Sequence, residues 1–143
     1  MDHVVYLDAN AKELDLLLSN TKRMIIRGAT GRKMPYGRVS QDDILYFINN
    51  NTEGIILAKA KVKSVFNSDK MSESESAQLI NNHQEKLQLT KKQYERWAGK
   101  RYLVLIEISE VEKVEPFQID KSDYGNMDDW LPVENIDKVR IHE

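Results

Sequence analysis

The sequence predicts an α+β domain in which a small mixed or antiparallel β-sheet or barrel carries three short flanking helices. Three observations lead there. Short apolar runs suited to strands recur five to seven times, most of them joined locally. Two capping boxes, Ser72 with Glu75 and Thr90 with Gln93, mark helices inserted among them. The 143 residues provide one core, burying roughly 70% of the unfolded surface, and leave no room for two full-sized domains.

Taken in order, Val4 to Leu7 reads as a first strand. Asn10 then caps a helix, with Glu13 three residues on closing the box and Leu14, Leu17 and Leu18 forming the buried face. Arg23 to Arg27 is a second strand that runs into a loop from Gly28 to Arg38, where three glycines and a proline oppose regular structure. Ile44 to Ile48 and Ile56 to Phe66 make a hairpin across the turn Asn49 to Gly54. Alternation in the second arm puts Ile56, Ala58, Ala60, Val62, Ser64 and Phe66 on the core side and Lys59, Lys61 and Lys63 on a basic face. The two capped helices follow, the second carrying Tyr94 and Trp97 and stopped by Gly99. Arg101 to Ile108 is the most hydrophobic stretch and predicts a central strand. Val111 to Phe117 and Ile136 to Ile141 are weaker strands, separated by a polar and aromatic loop from Asp120 to Pro132.

Composition excludes several classes. There is no cysteine, hence no disulfide framework and no thiolate metal site, and no run approaches the ~18 apolar residues of a membrane helix. The first ten residues lack a signal peptide's basic head, so a cytoplasmic address is the expectation. His3, His83 and His142 share no ligand spacing, and no metal or cofactor is expected. A net charge of −2 conceals a polar distribution. Lys22, Arg23, Arg27, Arg32, Lys33 and Arg38 fall in seventeen residues that hold no acid, whereas from Glu107 onward eleven acidic residues face four basic ones. The field around residues 22–38 attracts phosphates or other anions unless the acidic tail neutralises it within the fold.

The run Leu17 to Lys22 leading into Ile25, Ile26 and Arg27, with Asp43 opening the next strand, resembles the ASCH family of the PUA-like superfamily. Members read G-x-K-x-x-x-x-R at this junction and G-D before the following strand. Lys22 and Arg27 occupy the Lys and Arg positions, Asn20 replaces the glycine, and Asp42-Asp43 replaces Gly-Asp. The likeness is strongest over residues 4–108, and residues 109–143 are expected as an extension of a single domain that closes the barrel. It implies a PUA-like β-barrel whose cleft faces nucleic acid or a nucleobase, with Lys22 and Arg27 lining it. Some small members are amidohydrolases that deacylate N4-acetylcytidine with a Lys, a Thr three residues on and a Glu. Lys22 matches the Lys, Ile25 stands at the Thr position, and Glu75 and Glu85 are the nearby carboxylates.

The leading expectation is a module that binds RNA or a nucleotide, with Lys22, Arg27, Arg32, Lys33 and Arg38 meeting anionic groups and Tyr36 or Trp130 stacking on a base. The alternative is an amidohydrolase on a modified nucleoside with Lys22 catalytic, its pKa depressed by burial or by Arg23 and Arg27. A third reading is a protein-interaction domain using the loop near Trp130. Each signal has a plainer counterpart. The Gly28–Arg38 loop matches neither a P-loop nor a KH motif, so its basic residues can equally be ordinary surface, with Tyr36 packed on the barrel. Lys59, Lys61 and Lys63 can be a phosphate track or a solvated sheet face. Tyr124, Trp130, Asp123, Asp128 and Asp129 can form a lid, or Trp130 can be a plug that holds the tail on the barrel. Ser72, Ser74 and Ser76 read as a cap and a solvated first turn, not as nucleophiles. The oligomeric state is left open.

Overall fold

The computed structural model describes residues 1–122 and 129–141. The element order is β1 (Asp2–Leu7), α1 (Glu13–Leu18), β2 (Met24–Ala29), β3 (Ile44–Asn49), β4 (Ile55–Asn67), α2 (Glu73–Leu87), α3 (Lys91–Trp97), β5 (Tyr102–Gln118), β6 (Trp130–Glu134) and a 3-10 turn, Ile136–Lys138. Six strands form one curled mixed sheet in the order β2-β5-β4-β3-β1-β6, consistent with the expected α+β barrel. Among the described residues only the β1–β3 pair is parallel, and its connection carries α1 and β2. No helix among the described residues is long and apolar enough to cross a membrane.

The apolar patterning shows which faces are covered. Ile25, Val104 and Ile106 point into the curl with Leu17 of α1, Phe47, Val62 and Trp130. Their neighbours Met24, Ile26, Leu103 and Leu105 point outward and are covered by Ile80, Leu87 and Trp97 of α2 and α3. Burial on both faces explains why the start of β5 reads as an uninterrupted apolar run. A third cluster, including Val4, Ile48, Ile56 and Leu131, fills the far end beneath β6 and the 3-10 turn.

The structure corrects four expectations. Asn10 does not cap α1: the helix begins at Glu13 after Lys12 in a left-handed conformation, and the Glu13 carboxylate instead accepts from the Asp8 backbone N–H at 3.0 Å. The register of β4 slips between Val62 and Ser64, which turns Val65 toward the core and leaves Phe66 50% exposed. A one-residue slip exchanges the two faces of a strand, so the alternation fails from that point on. The stretches 101–108 and 111–117 are one long strand that passes through Glu110 at φ +55°. Finally, Trp130–Glu134, whose first three residues belong to the expected loop, pairs antiparallel with β1, while residues 136–141 form the 3-10 turn and a single bridge from Arg140 to Ile119. The boxes at Ser72 and Thr90 form as read.

Candidate functional site

Strands β2 and β6 are the two edges of the curled sheet, and the side chains of Arg27 and Trp130 meet across the seam between them. The guanidinium carbon lies 5.7 Å from the centre of the indole. Arg27 donates through Nη1 to the Ile26 carbonyl at 2.8 Å and through Nη2 to the Tyr6 carbonyl of β1 at 2.6 Å. Its Nε is buried and has no hydrogen-bond partner. Arg27 is only 8% exposed, and among the described residues no carboxylate lies within ion-pair distance of it. Burial pushes its pKa down, with Glu13 and Asp129 opposing that effect from further away. A desolvated cation whose hydrogen bonds go to backbone carbonyls has a standing deficit of negative charge.

Trp130 is fixed from behind. Its Nε1–H donates to His3 Nδ1 at 3.0 Å, and His3 Nε2 lies 2.8 Å from Asp43 Oδ2. Asp43, at the position of the expected Gly-Asp motif, also accepts from the Ser40 N–H at 2.9 Å. Burial lowers the pKa of His3 and Asp43 opposes it.

Outside this pair lies a cleft of about 170 Å³ lined, among the described residues, by four cations, Arg27, Lys33, Arg96 and Lys100, and one carboxylate, Asp129, with Trp97 and Trp130 as walls. Gly28 forms part of its floor, where a Cβ would come within 2.6 Å of Leu103 Cδ2. Arg96 holds Asp129 at 2.9 Å and stacks on Trp97 with its guanidinium 4.4 Å from the ring centre. The volume is below the roughly 300–1,000 Å³ of pockets that enclose a drug-sized molecule. It admits a phosphate or one planar ring, with the remainder of a ligand outside. Among the described residues no group of His, Asp or Glu is arranged to hold a metal ion.

A recess of about 40 Å³ leads inward past Arg27 to Glu13 and Gln93. Glu13 accepts from Gln93 Nε2 at 3.2 Å, and beyond it Lys22 is 1% exposed. Lys22 Nζ donates to the Leu87 carbonyl and stands 3.7 Å from Glu13 Oε2. Burial lowers its pKa from 10.5 to about 8 against the opposing pull of Glu13.

The sequence-derived candidates therefore separate. Arg27, Lys33 and Trp130 line the cleft. Lys22 lies behind it, and Trp130, itself 1% exposed, is a wall that carries Arg27 rather than an open stacking face. Arg32 lies at the surface over the rings of Tyr36 and Tyr102, 5.7 and 5.6 Å from their centres. Tyr36 donates to the Ser68 carbonyl at 2.5 Å, so its ring is packed against the barrel. Arg38 is exposed and does not line the cleft. Lys59, Lys61 and Lys63 face Glu112, Asp42 and Glu107 at 3.4, 3.5 and 3.8 Å, a paired and solvated sheet face. Glu75 closes its helix cap and Glu85 pairs with Arg23 at 3.6 Å; the carboxylate beside Lys22 is that of Glu13. His83 bonds the Leu79 carbonyl within its own helix. Tyr124, Asp123, Asp128 and His142 lie outside the described residues. Sequence reasoning missed Arg96, Lys100 and Glu13. Nothing in Lys91–Trp97 marks Arg96 as different from any other basic residue on a short helix.

No family model matches the chain, and no curated protein sequence is similar to it. Solved structures are similar. The ASCH protein of Zymomonas mobilis superposes with a TM-score of 0.63 at 16% identity, over 93% of this chain and 89% of that one. A point mutant of the same protein superposes with a TM-score of 0.66 at 15% identity, over 96% and 94%. At this identity the likeness establishes the fold.

Proposed function

The chain has the fold of ASCH domains, and from that premise we propose that it is a binding module for RNA or a nucleotide, seated at the seam between β2 and β6. The observation that carries this reading is Arg27: a buried guanidinium with an unpartnered Nε, at the edge of a cleft that three further cations line. Such a site calls for an anion that also accepts hydrogen bonds, as a phosphate does. Lys33, Arg96 and Lys100 meet the phosphates at the rim. Arg32, pre-oriented over two tyrosine rings, offers its planar guanidinium to a base. The test is fluorescence anisotropy of a labelled tetraribonucleotide. The parent binds, and replacing both Arg96 and Lys100 by alanine weakens binding about tenfold or more. Equal binding by the double variant, or no binding by the parent, refutes the reading.

One observation favours a second reading. Lys22, with its pKa lowered to about 8 beside Glu13, has the character of a base or nucleophile in an amidohydrolase acting on an acylated cytidine. Its burial, its bond to the Leu87 carbonyl and the core placement of Ile25 weigh against that. Turnover of N4-acetylcytidine that disappears in Lys22→Ala would make it the better account.

A further inference from the structure

We propose that His3 is the positioning residue of the seam cleft: held by Asp43 as its Nε2–H tautomer, it grips the indole N–H of Trp130 and so fixes the wall on which Arg27 lies. The inference deepens the nucleotide-binding reading and rests on it for the ligand.

The tautomer follows from the partners. An indole nitrogen can only donate, so the His3 nitrogen 3.0 Å from Trp130 Nε1 must be a bare acceptor. The one ring proton is then on Nε2, where it donates to Asp43 Oδ2 at 2.8 Å. His3 is 0% exposed, and its ring meets the Trp130 ring edge-on with centres 5.8 Å apart, so the imidazole is enclosed on the side away from Asp43 as well. Asp43 is anchored in turn by the Ser40 N–H, so the chain Asp43–His3–Trp130 begins at the backbone of β3's entry turn and ends at the wall of the cleft.

Two consequences follow for the site. The only side-chain hydrogen-bond donor of Trp130 points inward, so its indole offers a ligand no polar group; specificity for polar edges must come from Arg27, Arg96 and Asp129. The arrangement also requires a neutral imidazole, because a second ring proton on Nδ1 would face the indole N–H donor to donor. The charged groups around His3 are Asp43 from the turn that enters β3, Asp2 of its own strand and the amino group of Met1 just before it. Burial outweighs the pull of the two carboxylates and keeps the ring neutral.

The experiment has two arms. In the first, long-range proton–nitrogen correlation spectra are recorded on the full chain with labelled histidine, His3 being identified by its loss in His3→Gln. A bare Nδ1 and a protonated Nε2 are expected at neutral pH, persisting as the pH falls through the ordinary histidine value of about 6.5. An Nδ1–H tautomer or an imidazolium at neutral pH overturns the inference. The second arm measures tetraribonucleotide affinity. His3→Phe keeps a ring but no acceptor, and is expected to weaken binding about tenfold. His3→Gln keeps one acceptor and one donor, and should restore binding to within about threefold. Parental affinity in both variants overturns the positioning role. A parent that binds no nucleotide overturns the ligand reading, and the spectra alone then decide whether His3 holds Trp130. The spectral arm needs only the parent and the glutamine variant, so it stands even where His3→Phe does not fold.

Discussion

Lys22 is the residue whose burial can be read most directly in solution. The perturbation is the double variant Glu13→Gln, Lys22→Met, which removes both charges while the amide introduced in place of the Glu13 carboxylate can still accept from the Asp8 N–H and the linear methionine fills the lysine's path. The folded pKa of Lys22 is about 8, below the 10.5 of an unstructured lysine. Between these values the unfolded chain binds more protons than the folded one, so the parent's stability rises with pH through the window and is level below about pH 8. From about pH 7.5 to about pH 9.5 this contributes roughly 2 kcal/mol to the parent and nothing to the variant. The assay is urea unfolding of both proteins across that range. Subtracting the two curves cancels the tyrosines and exposed lysines that titrate in both. A difference that grows by about 2 kcal/mol is expected, with the variant close to the parent or more stable at neutral pH, because a buried ion pair is replaced as a whole. Parallel curves would refute the reasoning, since they would mean that water reaches Lys22 and that it belongs to the cleft.

Two other outcomes follow from the same geometry. Gly28→Ala places a methyl 2.6 Å from the buried Leu103 Cδ2 and 3.1 Å from the Tyr102 carbonyl, and should cost about 1–3 kcal/mol in denaturant unfolding despite alanine's stiffer unfolded chain. Asp129→Asn removes the carboxylate that lines the cleft among the described residues, so affinity for a tetraribonucleotide should rise about threefold to fivefold in anisotropy titrations, the reverse of what an ordinary contact residue would show.

Much of the fold was legible because its signals are local. Ser72 with Glu75 and Thr90 with Gln93 are capping boxes whose geometry is contained within four residues, and the apolar run of β5 announces a strand buried on both faces. The errors fall where a distant partner decides. The alternation of β4 passes through two earlier register shifts against β5 and fails at the third, between Val62 and Ser64. Glu13 is drawn from a helix cap toward Asp8, Gln93 and Lys22. Trp130 belongs to a strand because β1 is there to pair with it. The site was legible in the same measure. The basic segment marked Arg27 and Lys33, whereas Arg96 and Lys100 reach the cleft only through the packing of α3 and the start of β5 against β2. The acidic tail contributes to the cleft through Asp129, which bonds Arg96.

The central claim, a phosphate-binding seam, is tested most directly by the salt dependence of tetraribonucleotide affinity. Lys33, Arg96 and Lys100 can neutralise two or three phosphates, which predicts a slope of log affinity on log salt of about −1.4 to −2.1. Between about 50 and about 200 mM salt the parent should then lose roughly 7- to 18-fold in affinity, and replacing Arg96 and Lys100 by alanine should flatten the slope by about 1.4. A slope near zero, or one that the substitutions leave unchanged, would contradict the account.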